Sequence, residues 1–474
     1  MRIEAQDNIS VTVSLKVHPI RRVIDFYRDR EYFVLLIKIA LPIALQNFIL
    51  SSLNMVGTVM VGQLGETMVA SVGVANQVFF LMNLLVFGVV SGGAIFTAQF
   101  WGKRDITNIR KVLSLSIILA ISGALLFFVV AEVFPGFVLG IYSKDPAVVK
   151  AGSDYLRIMA CSFVFFAITA SYGTVLRSTG DVRTPLVVSI GALSLNTLLS
   201  YLLIFGMFGF PQLGIRGAGV GIVVARVVEC LALLFITYRR NLPAAVRLHD
   251  LRSLDLRFVK QVLKPVLPVT INELLWAFGA TAYSVIYARI GTDAMAAMSI
   301  AGSIDQLALV LFFGISNACA ILVGNRIGAG QQDQAFRYAV RSLGLGVGLA
   351  VVMGGVVLLI SRPILSIYKV SPQVLVEARR ILTVIACFLW LRISNLIYYV
   401  GILRSGGDTR YAFIFDVGTI WLVGVPMAAL AAFVLHLPVY WVYLFVMSDE
   451  LTKSTAGFLR LVSRKWIHDL TTTV

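Results

Sequence analysis

Charge is scarce in this chain. Only 14% of its 474 residues are Asp, Glu, Lys or Arg, and 58% are hydrophobic, whereas an ordinary water-soluble domain carries roughly 25% charge. Too little polar surface is available to cover such a chain, which excludes a soluble enzyme and calls for lipid as part of the solvent. Chemistry-bearing residues are equally thin. The four cysteines, Cys161, Cys230, Cys319 and Cys387, lie in apolar runs without CxxC spacing, so neither a disulfide framework nor a zinc site is expected. The four histidines, His18, His249, His436 and His468, all fall outside the middle of an apolar run. There is no GxxxxGK phosphate loop and no HExxH pair, and GIRGAGVG is followed by Ile222, so it is no dinucleotide fingerprint. No enzyme and no cofactor are expected. Energy for any work must come from an ion gradient or from the gradient of the substrate itself.

What is abundant is apolar sequence. Twelve runs reach the roughly 20 residues that a spanning helix needs, six between residues 33 and 237 and six between 264 and 459. Residues 1–32 alternate charges and lack the apolar core of a secretory signal, so they read as a cytosolic arm. Loop Lys and Arg number 27 on one side of these runs and eight on the other. By the positive-inside rule both termini are therefore cytoplasmic, in a cell membrane. The net charge of +16 would elsewhere suggest nucleic acid, but it is spread over seven short loops and tails and forms no groove-sized stripe.

The chain is a tandem repeat. Shifted by 226 residues, Lys38, Leu41, Pro42, Gly65, Ala70 and Ala75 fall on Lys264, Leu267, Pro268, Gly291, Ala296 and Ala301, and FGVVSGGAIFTAQFWG at 87–102 falls on FGISNACAILVGNRIG at 313–328. After a slip of one residue, LRSTGDVR at 176–183 falls on LRSGGDTR at 403–410. Each half holds an even number of spans, so both enter the membrane the same way and should be related by a two-fold axis along its normal. The expected fold is an all-α polytopic membrane protein with twelve transmembrane helices in two six-helix lobes. Its parts are an arm (1–32), a first lobe (33–237), a basic, Pro-containing linker (238–262), a second lobe (263–462) and a tail (463–474).

Several segments together resemble the multidrug and toxic compound extrusion (MATE) transporters over residues 33–467. They are ALPIALQNFILSSLNMVGTVMVGQLG at 40–65, QFWGKRD at 99–105, LRSTGDVRTP at 176–185, GIRGAGVGIVVARVVE at 214–229, LPVTINELLWAFG at 267–279, GTDAMAAMSIAGSI at 291–304 and GNRIGAGQQDQA at 324–335. The resemblance implies a 6 + 6 helical fold and cation-coupled export of organic, often cationic, compounds. It also marks a departure: where many members carry an acid late in the first span, this chain has Gly57, while the glutamate after the seventh-span proline is present as Glu273.

An ionisable group at bilayer depth costs at least about 2.5 kcal/mol on insertion scales and so calls for a partner, a wet cavity or a task. Glu273, Asp305, Arg392, Asp416, Asp449, Glu450 and Lys453 all fall inside second-half runs, and the repeat mates of the first six are uncharged: Asn47, Phe79, Phe166, Ser189, Ile222 and Val223. The coupling ion, H+ or Na+, is thus expected in the second lobe with Glu273 as its acceptor. Glu273 is opposed either by a movable Arg392, as a switch, or by a permanent pair with it that fixes packing. Asp305 either completes the site or bonds helices together, and Asp416 either joins it or is hydrated at the interface. Asp449, Glu450 and Lys453, at i, i+1 and i+4, read as a local structural pair.

Amides and aromatics supply the expected substrate cleft: Asn47, Gln77 and Asn196 with Tyr172, Trp276, Tyr283, Tyr398 and Tyr399, where aromatic faces hold organic cations. Pro42 and Pro268, at matching places, are hinges or static kinks. Arg177 and Arg404 of the matching loops either latch the lobes or anchor the cytoplasmic face. The reading is a monomeric, ion-coupled efflux antiporter for small organic compounds in the bilayer, alternating access between two lobes; the alternative is a flippase for lipid-linked precursors.

Overall fold

The computed structural model describes residues 29–247, 249–250, 253–368 and 370–472. Most of the expected arm, three residues of the linker, Lys369 and the last two residues of the tail lie outside the described residues.

Twelve long helical segments account for the described chain. The first bundle contains α1 (Arg30–Gly62), α2 (Glu66–Gly102), α3 (Ile106–Val133), α4 (Pro146–Ala160 with Phe163–Ser178), α5 (Arg183–Phe205) and α6 (Ile215–Arg239). The second contains α7 (Leu256–Ile290), α8 (Thr292–Gly328), α9 (Gln332–Leu365), α10 (Pro372–Leu403), α11 (Thr409–Val434) and α12 (Val439–Val462). Nine are long and apolar enough to cross a membrane, and α4 is a tenth if its two parts, bent by 48°, count as one span. The remaining two, α7 and α12, are long enough but less apolar, because they carry Asn272 and Glu273, and Asp449, Glu450 and Lys453.

Local sequence sets the ends. Asp145 and Ser371, repeat mates, each cap a helix whose first residue is proline, and their side-chain oxygens accept from Ala147 and Val374 N–H. A side-chain oxygen there satisfies an amide that the helix leaves unpaired. Pro42 and Pro268 do not interrupt their helices, which run on through them.

The one-residue slip between the repeats has a structural cause. The last seven residues of α10, Ile397–Leu403, form a π-helix, whose wider turn accommodates an extra residue within an otherwise regular helix. The corresponding stretch of α4 is ordinary α-helix.

Contacts between the bundles obey a two-fold. A Cβ at Gly88 would stand 2.6 Å from Thr270 Cα, and one at Gly314 would stand 3.0 Å from the Cβ of Ala44; both partners in one contact are the repeat mates of those in the other. Gly102 meets Asn325 and Gly328 meets Gln99, again as mates, and Gly324 packs on Ala98, its own mate, which places that contact on the axis. Small residues let the backbones approach this closely. All five of these glycines lie in the halves of α2 and α8 that end at the linker side, where α6 ends and α7 begins. Toward the other side a Cβ at Gly73 of α2 or Gly302 of α8 would meet nothing within 4 Å, and α1 is exposed at Ser52, Asn54, Met55, Val56, Thr58 and Val59. The bundles therefore close on the linker side and part on the far side.

Further contacts seal the linker side. Tyr32 and Leu36 at the start of α1 are buried in a core built from α8, α9 and α10. Asp29 pairs with Arg341 on α9. Burial pushes the Asp29 carboxyl up, but the Tyr32 amide and the Arg341 guanidinium outweigh it and hold it below its ordinary value. The segment after α12 crosses back: Trp466 is fully buried, and Gln99 of α2 donates to the carbonyls of Ser405 (3.1 Å) and His468 (3.0 Å) while accepting from Leu470 N–H (2.8 Å).

Candidate functional site

The acids and bases expected at depth in the second bundle do meet, but in a different pairing from the one the sequence suggested. Glu273, on α7, takes its hydrogen bond from Arg404 Nη1 at 2.6 Å, with the two side chains 12% and 5% exposed. Arg404 also lies 3.8 Å from Asp416 on α11. Asp416 in turn accepts from Asn272 Nδ2 (2.9 Å) and pairs with Lys453 of α12 (3.4 Å), which pairs with Asp449 at 3.2 Å. Four helices thus contribute one buried chain of charge, running Glu273, Arg404, Asp416, Lys453, Asp449. With every member ionised it holds three negative and two positive charges, an excess of one negative.

Arg392 does not reach Glu273. Its Nη1 donates to Asp305 Oδ1 at 2.8 Å, and this second pair also keeps Asp305 out of the Glu273 network. The reason is register. Arg404 follows the π-turn and is turned inward from the end of α10, whereas Arg392, more than three turns earlier, faces α8. Asp416 is no hydrated interface residue; it is the hub of the chain, its side chain 17% exposed. Lys453 does neutralise Asp449 across one helical turn, but it bridges to α11 as well, and Glu450 is held instead by Asn395 Nδ2 through its carboxylate and carbonyl oxygens, each at 2.7 Å.

Buried amide and carboxylate oxygens around this chain remain without a hydrogen-bond donor, among them Asn272 Oδ1 and Asn395 Oδ1, and the Tyr283 hydroxyl lies against Asp449. Gly424 leaves the room that the Tyr283 hydroxyl occupies beside Asp449. Buried polar groups are nearly always satisfied, so this cluster of acceptors fits a small cation or water. Carboxylate and amide oxygens suit a hard cation. Among the described residues no three His, Cys, Asp or Glu converge as a metal cluster.

The expectation that deep charge is confined to the second half is overturned by Glu229, which is 3% exposed. It accepts from Arg226 Nη1 (2.6 Å) and from Ser189 Oγ (2.8 Å), and Ser189 accepts from Gln46 Nε2 (3.0 Å). Arg226 also lies 5.2 Å over the Phe166 ring. With the one-residue slip, Gln46, Ser189 and Arg226 are the mates of Asn272, Asp416 and Lys453. The two networks are copies of one design, in which the first lobe has Ser for Asp416 and a single acid matched by a single base. Arg226 and Glu229 stand in ARVVE, legible as charges in an apolar run but easily taken for the end of a span.

Of the cleft candidates, Tyr172, Tyr398 and Tyr399 are buried in the bundles: the Tyr172 hydroxyl meets that of Tyr238 (3.0 Å), Tyr398 packs on Gly457, and Tyr399 donates to the Lys453 carbonyl (2.9 Å). Tyr283 belongs to the charge network. Gln77 and Trp276 are exposed, Asn47 is half-buried, and Asn196 accepts from Ser200 Oγ (3.3 Å).

A two-fold pair of six-helix bundles that close on one side and part on the other, with buried charge within each bundle, defines a membrane transporter. The MatE family model matches residues 42–202 and 268–430, one block in each bundle, and the chain belongs to that family. It is 26% identical over 432 residues to a probable multidrug resistance protein NorM of Thermotoga maritima, covering 91% of this chain and 92% of that one. A probable multidrug resistance protein YoeA of Bacillus subtilis is 26% identical over 394 residues, 82% and 84% of the two chains. Among solved structures, a MOP superfamily transporter from Pyrococcus furiosus superposes with a TM-score of 0.83 at 16% identity, over 91% of this chain and 96% of that one. The protein is a multi-pass membrane transporter and not an enzyme.

Proposed function

We propose that the protein exports small organic amphiphiles in exchange for H+ or Na+ bound in the second lobe, the multidrug activity for which its relatives are named. The observation that carries this reading is the uncompensated negative charge of the chain from Glu273 to Asp449. Uptake of one proton or sodium ion neutralises the network, and its release restores an attraction between Glu273 and Arg404 at the mouth of α10. Because Glu273, Arg404, Asp416 and Lys453 stand on four different helices, a change in their charge alters helix packing as well as local bonding. The first-lobe copy, with Glu229 matched by Arg226, has no such deficit.

The linker side is cytoplasmic by the distribution of Lys and Arg, so the described state is open outward, and the second state opens the contacts at Gly102 and Gly328. A single chain encloses the whole cleft, and the unit of transport is the monomer.

The test is efflux of a fluorescent organic cation from proteoliposomes under an imposed pH gradient and then a sodium gradient. Glu273→Gln is expected to insert and fold normally and to lose gradient-driven efflux under whichever ion drives the wild type. Normal driven efflux by that variant would refute the assignment.

A further inference from the structure

A second cation lies at the floor of the cleft, and the coupling network does not use it. Between the bundles is a cavity of about 70 Å³, room for an ionised group and a few waters at roughly 10–15 Å³ each. Arg177 of α4 and Arg404 of α10, repeat mates, line it from opposite lobes, and Ala98, which lies on the pseudo-two-fold axis, is part of its wall. Thr174, Ser178, Ser91 and Asn317 add polar groups, and no acid is among the lining side chains. Arg404 is neutralised by Glu273. Arg177 donates to Thr174 Oγ1 at 2.9 Å, and among the described residues no carboxylate comes within salt-bridge distance of it.

We propose that this chamber binds an anionic group of the transported compound, a carboxylate, sulfonate or phosphate, with Arg177 as its counter-ion. A guanidinium withdrawn from bulk water and facing a cavity is costly unless an anion compensates it, and its planar fork suits a two-oxygen acceptor. Thr174 Oγ1 accepts from Arg177 and keeps its own proton to donate to the same oxygens, while the Ser178 hydroxyl is held on the Thr174 carbonyl at 2.9 Å. Two-fold placement explains why the two arginines differ in role: the second lobe has Glu273 to occupy Arg404, whereas the first has Asn47 at the matching position and leaves Arg177 unmatched. The favoured cargo is therefore zwitterionic or acidic, not purely cationic. This inference deepens the export reading given above and rests on the cleft being the transport path.

A matched pair of dyes tests it: a xanthylium fluorophore as its free carboxylic acid, a zwitterion, and as its methyl ester, a cation. Equilibrium binding to the purified full chain in detergent is measured by fluorescence anisotropy at a pH where the acid is ionised. The wild type is expected to bind the acid at least about tenfold more tightly than the ester, a difference within the range of one charge-assisted hydrogen-bonded pair. Arg177→Gln should erase the preference while leaving ester binding unchanged, and Arg177→Lys should restore part of it. Equal affinity of the wild type for the two dyes would overturn the proposal, as would an equal loss of both in Arg177→Gln, which marks a structural latch. Binding of inorganic phosphate that leaves the dyes undiscriminated would overturn the assignment to cargo. Glu273→Gln separates this from the coupling claim: it frees Arg404 in the same chamber, so it should abolish driven export of the acid while the acid stays preferred over the ester at least as strongly as in the wild type, and the two outcomes can fail independently.

Discussion

Lys453 touches two carboxylates on two helices, Asp416 and Asp449, and is 4% exposed. Removing one partner of a buried pair leaves the other charge without compensation, typically at a cost of about 3–5 kcal/mol. Lys453→Met is therefore expected to lower the thermal unfolding temperature in detergent markedly, and Asp416→Asn in the same chain to recover part of the loss. A full-temperature Lys453→Met protein would show that the network contributes little to stability. In the first lobe Glu229→Gln leaves Arg226 with a weaker acceptor and should cost about 1.5–3 kcal/mol by the same measurement, with coupled efflux retained. Loss of coupling in Glu229→Gln would move the ion site, or a share of it, into the first lobe. Sequence alone brings out Glu273, Asp416 and Lys453, because an ionisable residue in an apolar run is conspicuous. It misassigns the pairing because side-chain direction at the end of a span depends on helix rotation, which composition does not record. Arg404 illustrates this: in a basic loop motif it reads as a surface anchor, yet its side chain is 5% exposed.

At the scale of the element, the repeat is plain in the residues, and so is its one-residue slip; the π-turn at Ile397–Leu403 that absorbs the slip is not, since no residue type marks it. The twelve spans were legible from apolar length, including the two whose buried charges lower their hydropathy. The glycines at 88, 102, 314 and 328 were visible as a pattern, but their function as contacts between lobes needs three-dimensional register. That function is testable. A side chain at Gly328 would run into the Gln99 carbonyl and one at Gly102 into that of Asn325, so closure on the linker side requires their absence. Gly328→Leu is expected to shift the population toward a state open on that side, seen as increased labelling of a cysteine placed at Ser405 in an otherwise cysteine-free background. Unchanged labelling would mean that the closed contact tolerates a side chain and is not the gate.

As a whole, the molecule is a symmetric container with asymmetric contents. Both lobes build the same polar scaffold, with Gln46, Ser189 and Arg226 in one and Asn272, Asp416 and Lys453 in the other, and only the second holds more acid than base. In the proposed exchange, the shared architecture lets the lobes rock against each other, and the unequal charge lets an ion bias which way they rock. The most direct measurement is ion displacement at equilibrium. When substrate is added to the purified, unbuffered protein, or to protein equilibrated with sodium, the account predicts release of about one proton or one sodium ion per molecule bound, reduced to near zero in Glu273→Gln and Asp416→Asn. Undiminished release by both variants would contradict a coupling site in the second lobe.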